Sequence, residues 1–195
     1  VIVVVADIEN VKRNLLLFTQ VLDLGLPVVL VLNMIDGVAR KGIDIDSKGL
    51  AKHYNVPVIE VNSRKGLGVD LLKRALENEL YPSKNAVYKP EIEFKEFTLE
   101  AAQILRESSF YKSWLIANTE EYRLIEQGQS EKLKELRVKF SINTNRSKVK
   151  ETISRYREID TTLAQFVTKT GKGIIGRTDK LDSICLLYTS PSPRD

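Results

Sequence analysis

The chain has 195 residues, 43% of them apolar, and a formal net charge of +4. That is enough apolar material for one sizeable core or two smaller ones. No apolar run approaches the roughly 20 residues that a bilayer-crossing helix needs, and no signal-like leader opens the sequence, so neither membrane insertion nor export is expected. With one cysteine, Cys185, and one histidine, His53, neither a disulfide framework nor a Cys/His metal cluster can be assembled. No metal site is expected, and a reducing, cytosolic setting fits. Lys and Arg alternate with Asp and Glu along the chain, which argues against a nucleic-acid partner.

Residues 1–7, VIVVVAD, are a β-branched run of the kind found in a parallel strand covered on both faces. Opening inside an apolar strand reads as a break within a longer protein. After Asn10, a candidate N-cap, Val11, Leu15, Phe18, Val21 and Leu22 form one helical stripe that Gly25 and Pro27 stop. Val28 to Leu32 is a second buried strand with a polar turn at its end. A short helix is predicted from Asp46, a third strand over Pro57 to Val61, a Gly-rich loop at SRKGLG, and an amphipathic helix over Val69 to Leu80 with Leu71, Leu72, Ala75 and Leu76 on one side. Strand and helix units in series imply a parallel α/β sheet.

The style changes at YPSKNAVYKP, residues 81–90, where a domain boundary is placed. Beyond it strand signals vanish. Helical stripes follow at Phe94, Phe97, Ala101 and Leu105; at Trp114 and Ala117; at Leu133, Leu136 and Phe140; and at Val149, Ile153, Tyr156, Leu163 and Val167, the last ended by Gly171 and Gly173. The predicted fold class is α/β followed by a small all-α domain, with divisions at 1–82, 83–176, 177–184 and 185–195.

In an α/β sheet, ligands gather outside the carboxyl ends of the strands. Asn33 and Asp36 stand at such an end. A carboxylate there can accept two parallel hydrogen bonds from the N1 and N2 edge of guanine, while the Asn tethers the loop and touches the N7 side. Adenine lacks that donor pair, and leaving the carboxylate unpaired costs about 1–3 kcal/mol. The same residues also make an ordinary Asx turn, and N-x-x-D alone does not separate the two readings. A second loop at the next strand end favours the nucleotide: Ser63, Arg64, Lys65 and Gly66 can offer backbone N–H groups, and Ser63 its hydroxyl, to the guanine O6. His53, the acidic pairs Asp44/Asp46, Glu91/Glu93 and Glu120/Glu121, and Trp114 are read as ordinary structural or surface residues.

These segments, VADIENVKRNLLLFTQVLDLGLPVVLVLNMID, GIDIDSKGLAKHYNVPVIEV and SRKGLG in that order, resemble the second half of the GTP-binding domain of bacterial ferrous iron transport protein B. Residues 84–173 resemble that family's helical domain, thought to stabilise bound GDP. Residues 173–184, GIIGRTDKLDSI, resemble its lead-in to a first transmembrane helix. The resemblance stops at residue 184. CLLYTSPSPRD, residues 185–195, reads as a translated sequencing adapter, with a disordered Ser/Pro tail as the alternative.

The resemblance implies a P-loop GTPase-like sheet and the guanine nucleotides GTP and GDP as cofactors. Base reading passes to Asn33 and Asp36, with Ser63, Arg64 and Lys65 in the second loop. Met34 stands where most GTPases carry a Lys that stacks along the nucleotide, a departure this family shares, and one that should speed release. The phosphate-binding loop G-x-x-x-x-G-K-[ST], the switch Thr for Mg²⁺ and the D-x-x-G turn are not read in the sequence. No catalytic residue is therefore assigned, and the chain alone is not expected to hydrolyse GTP. An uncovered edge at residues 1–7 predicts poor solubility. The implied role is the regulatory part of a ferrous iron transporter, on the cytoplasmic face of the cell (inner) membrane, with that protein's membrane domain as partner. Two alternatives are another soluble GTPase, for example in ribosome assembly, and a flavodoxin-like or receiver-like module whose N-x-x-D turn is only structural.

Overall fold

The computed structural model describes residues 1–40, 42–119 and 125–169. In chain order they form β1 (Ile2–Asp7), a 3-10 turn (Ile8–Asn10), α1 (Val11–Asp23), β2 (Val28–Asn33), α2 (Ile35–Arg40), β3 (Ile43–Ile45), α3 (Ser47–Tyr54), β4 (Val58–Val61) and α4 (Val69–Glu77). After a segment without helix or strand come α5 (Ile92–Leu105), α6 (Phe110–Ala117), α7 (Gln127–Lys139), α8 (Thr144–Phe166) and β5 (Val167–Lys169). This is an α/β sheet followed by helices, as expected.

The main sheet is parallel in the order β1-β2-β4. Strand β2 is central, and Val28 to Leu32 are all buried because its two faces have different covers. Leu30 and Leu32 meet Val4 and Ala6 of β1 and Leu15, Phe18 and Leu22 of α1. Val29 and Val31 join Val61 beneath Val69 and Leu72 of α4. Each such side chain, fully buried, stabilises the fold by about 1.5–3 kcal/mol. Strand β1 departs from expectation. Val4 and Ala6 are buried, but Val3 and Val5 are 37% and 58% exposed, so only one face is covered. Helix α4 screens β2 and β4, and no described element extends that screen over β1.

Helix α8 supplies Tyr156, Ile159, Leu163 and Phe166 to the same core as α1 and α3. The predicted stripe ran on through Val167. Instead the helix ends at Phe166, and Val167–Lys169 pairs antiparallel with β3, Ile45 opposite Val167. A strand therefore does occur beyond residue 90. The predicted stops at Gly171 and Gly173, and everything read from 173 to 195, lie outside the described residues, as do Glu120 and Glu121. Gly49 permits the junction, because a Cβ there would lie 2.6 Å from the Phe166 ring. The residues Asp46 to Gly49 spell D-x-x-G, a pattern read above as absent. Here they cap a helix, the Gly49 N–H donating to Asp46 Oδ1 at 2.8 Å.

Helices α5, α6 and α7 close over Phe97, Ala101, Ala117, Leu133 and Leu136. Val149 and Ile153, expected to be interior, are 58% and 46% exposed on α8. The segment before α5 runs against the sheet half. Ser83 Oγ donates to the Tyr54 carbonyl at 2.6 Å, and Asn85 Nδ2 to that of His53 at 2.8 Å. The Asp23 carboxylate accepts from the Val87 and Tyr88 amides at 2.7 and 2.9 Å, and from Arg155 at 2.7 Å.

Arg155 is fully buried, also donates to Glu151, and places its guanidinium 4.4 Å from the Tyr111 ring centroid and 5.3 Å from that of Tyr88. A charge buried this deeply is tolerable only when paired on several sides. The Tyr111 hydroxyl donates to Glu151 at 3.1 Å. Burial, reinforced by the Glu151 charge, pushes the Tyr88 and Tyr111 hydroxyls well above the usual tyrosine range.

Candidate functional site

The strand register sets Asp7 beside Asn33, and Asn33 beside Val61, so the three chain exits share one edge of the sheet. Asp7 is committed locally. It accepts from the Glu9 amide at 2.9 Å and from Asn10 Nδ2 at 3.0 Å, while its carbonyl accepts from Asn14 at 3.2 Å.

Asn33, half-buried, accepts the Ser63 amide N–H on its Oδ1 at 3.2 Å. This bond spans 30 residues and ties the exit of β2 to the exit of β4. Met34 follows with φ of +67°, a left-handed conformation that costs a non-glycine residue about 1–3 kcal/mol. It turns the chain sharply, and the Gly37 amide closes the turn on the Met34 carbonyl at 3.0 Å. The Met34 side chain packs, half-buried, against the main core.

Asp36 was expected in a loop but lies in the first turn of α2, where a carboxylate complements the helix N-terminus. Its Oδ2 is 3.8 Å from Lys65 Nζ, a second link between the two chain exits. Both groups are substantially exposed, so this contact is worth at most about 1 kcal/mol.

Residues 63–66 form a tight turn clasped by a bridge between Asn62 and Leu67, the Asn62 amide donating to the Leu67 carbonyl at 3.0 Å. The Lys65 amide donates to the Asn62 carbonyl at 3.1 Å and to Asn62 Oδ1 at 3.2 Å. Two of the four amides expected to face a ligand are thus used inside the protein, Ser63 by Asn33 and Lys65 by Asn62. Arg64 and Gly66 remain for a ligand, with the exposed Ser63 hydroxyl. Gly68, at φ +79°, lets the chain enter α4, since a Cβ there would run into the Glu60 carbonyl.

Asn62 went unnoticed in the sequence. It is 3% exposed, and its side-chain Nδ2 has no hydrogen-bond partner among the described residues. A polar residue directly after an apolar strand was the available signal. His53 touches Thr162 Oγ1 through Nε2 at 3.2 Å and lies edge-on to Tyr54, joining α3 to α8. Among the described residues no group of three His, Cys, Asp or Glu could hold a metal ion, and no helix is long and apolar enough to cross a membrane.

The site therefore combines a carboxylate, a tethering amide side chain and open backbone N–H groups along one strand-end edge. That set complements a flat heterocycle presenting two adjacent donors and one acceptor.

Known proteins share part of this sequence and this fold. The sequence model of the family described as ferrous iron transport protein B matches residues 1–76. A curated Fe(2+) transporter FeoB of Salmonella typhimurium is 37% identical over 73 residues, which cover 37% of this chain and 10% of that protein. Its Escherichia coli counterpart is 38% identical over 73 residues, covering 37% and 9%. The matched stretch thus spans about a tenth of these relatives. Among solved structures, the cytosolic domain of L. pneumophila FeoB superposes with a TM-score of 0.71 at 22% identity, covering 86% of this chain and 67% of that one. A mutant of S. thermophilus NFeoB bound to GDP gives 0.63 at 21% identity, covering 84% and 67%. The T. maritima cytosolic domain in a GDP form gives 0.65 at 19% identity, covering 85% and 67%. Residues 1–76 thus match the ferrous iron transport protein B family in sequence, and the described residues carry the fold of these cytosolic domains on into the helices.

Proposed function

We propose that residues 1–82 are the base-reading half of a guanine-nucleotide-binding domain, with residues 83–176 as the helical domain attached to it. Together they form part of the cytosolic regulatory portion of a ferrous iron transporter, on the inner face of the cell membrane. The observation that carries this reading is the hydrogen bond from the Ser63 amide to Asn33 Oδ1, 3.2 Å long. It joins the two strand exits into one continuous edge, with Asp36 at one end and the 63–66 turn at the other.

On that edge Asp36 accepts from guanine N1 and N2, and Asn33 holds the second turn in place. The Arg64 and Gly66 amides and the Ser63 hydroxyl meet O6, and Arg64 and Lys65 flank the base. GDP-bound relatives of the same fold support the ligand class. Affinity for the phosphates, and Mg²⁺, belong to segments of the full-length protein with the P-loop pattern.

The test is equilibrium binding of GDP and ADP to the cytosolic domain of the full-length protein, with and without Asn33→Ala. Loss of the tether should weaken GDP several-fold, since an ordinary hydrogen bond is worth about 0.5–1.5 kcal/mol net. Weak ADP binding should not change. Equal GDP affinity in the two proteins would remove Asn33 from the site.

A further inference from the structure

Charge is not spread evenly over the folded chain. Residues 127–150 hold seven basic and two acidic side chains, a net charge of +5. The whole chain carries only +4, so everything else together is −1. The alternation of charges noted along the sequence therefore fails over the second half of α7, the turn after it and the start of α8.

Lys134, Arg137 and Val138 of α7 share a cleft of about 630 Å³ with residues 141–145. Lys148 and Val149 come three and four residues after Asn145, one turn further along the same face of α8. Lys139 and Lys150 are engaged by Glu100 and Glu91 at 2.7 and 2.6 Å. Lys132, Lys134, Arg146 and Lys148 are exposed and have no ion-pair partner among the described residues. Between the cations stand two bare aliphatic side chains, Val138 at 79% and Val149 at 58% exposure.

We propose that this tip of the helical part is a docking surface for an anionic lipid bilayer. Five of the seven cations are lysines, and the apolar groups among them are valines, with Phe140 half-buried beneath Lys139. Lysines around shallow aliphatic contacts suit acidic headgroups over an acyl boundary. Surfaces for single-stranded nucleic acid rely instead on exposed aromatic and Arg stacking platforms. The inference rests on the transporter reading, in which attachment to a membrane protein holds this tip near a bilayer and makes a weak intrinsic affinity sufficient.

The experiment is co-sedimentation of the full chain with vesicles of phosphatidylcholine alone or with about one third phosphatidylglycerol, over a range of salt concentrations. Binding should require phosphatidylglycerol and fade as salt rises. Lys134→Ala with Lys148→Ala should lower it about 25-fold, at about fivefold per lysine. Val138→Ser should lower it further. The same pair of changes at Lys52 and Lys73, away from the tip, should leave binding within about twofold. Circular dichroism confirms that each variant is folded.

Equal binding to both vesicles, no binding, or indifference to the Lys134 and Lys148 changes would overturn the proposal. So would capture of single-stranded polyuridylate in preference to the anionic vesicles. GDP affinity, measured on the cytosolic domain of the full-length protein, is scored separately. A protein that reads guanine and ignores vesicles loses only the docking surface.

Discussion

Removing the Asp23 carboxylate should unlock the junction between the sheet half and the helices. The Asp23 and Arg155 side chains are 2% and 0% exposed, and their charged atoms are 2.7 Å apart. Asp23→Ala leaves the guanidinium with Glu151 as its remaining carboxylate partner and strips the Val87 and Tyr88 amides of their acceptor. Breaking a buried pair from one side costs about 3–5 kcal/mol. Because Glu151 still neutralises the arginine, the lower end, about 3 kcal/mol, is expected, with relaxation of the chain around the two amides limiting their added cost. Trp114, the single tryptophan, stacks on Tyr111 at 5.6 Å inside this junction, so urea melts followed by its fluorescence read the site directly. Combining Asp23→Ala with Arg155→Met should lose less than the sum of the two changes, with a coupling of about 1–3 kcal/mol. A loss under about 1 kcal/mol for Asp23→Ala, or strict additivity, would refute the view that this cluster fastens the two halves together.

Alkaline titration probes the same cluster. Tyr88 and Tyr111 keep their protons in the folded state, while in the unfolded chain they ionise near the ordinary pKa of about 10. Their contribution to stability is therefore complete below that pH and lost as pH rises above it. Absorbance at the phenolate band should show these two of the seven tyrosines ionising only together with unfolding; early, reversible ionisation of all exposed and buried tyrosines alike would count against it. At the second turn, Gly68→Ala forces a Cβ against the Glu60 carbonyl in a left-handed conformation and should cost about 2 kcal/mol in thermal or urea melts, with weaker GDP binding. Met34→Lys should tighten GDP several-fold in the full cytosolic domain, because a lysine stem can lie along the nucleotide where the methionine instead turns into the core. Unchanged or weaker affinity by calorimetry would contradict that. The exposed Val3 and Val5 should make the chain prone to self-association, and Val3→Thr with Val5→Thr should raise its monomer fraction in sedimentation.

Strand β2 was legible because burial on both faces leaves an unbroken apolar run, and α1 because its stripe meets one continuous core. The same rule misread β1, whose apolar run is just as long but has only one covered face. Strand β5 was hidden since Val167 continues the spacing of Tyr156 and Leu163, and only its pairing with β3, more than 120 residues earlier in the chain, makes it extended. Asn33 and Asp36 could be seen because they follow a strand at fixed spacing. What could not be seen was the division of amides in the 63–66 turn, which depends on Asn33 and Asn62 claiming two of them. Nor could Arg155 be anticipated. It reads as one more charge on a helix until Asp23, 132 residues away, is placed against it.

Nucleotide choice by the Asp36→Asn variant tests the base-reading claim most directly. An amide in place of the carboxylate reverses one donor and acceptor pairing, so the variant cytosolic domain should bind xanthine diphosphate in preference to GDP. The change in the ratio of affinities should be about tenfold or more. A variant that kept the guanine preference of the parent would show that Asp36 does not touch the base.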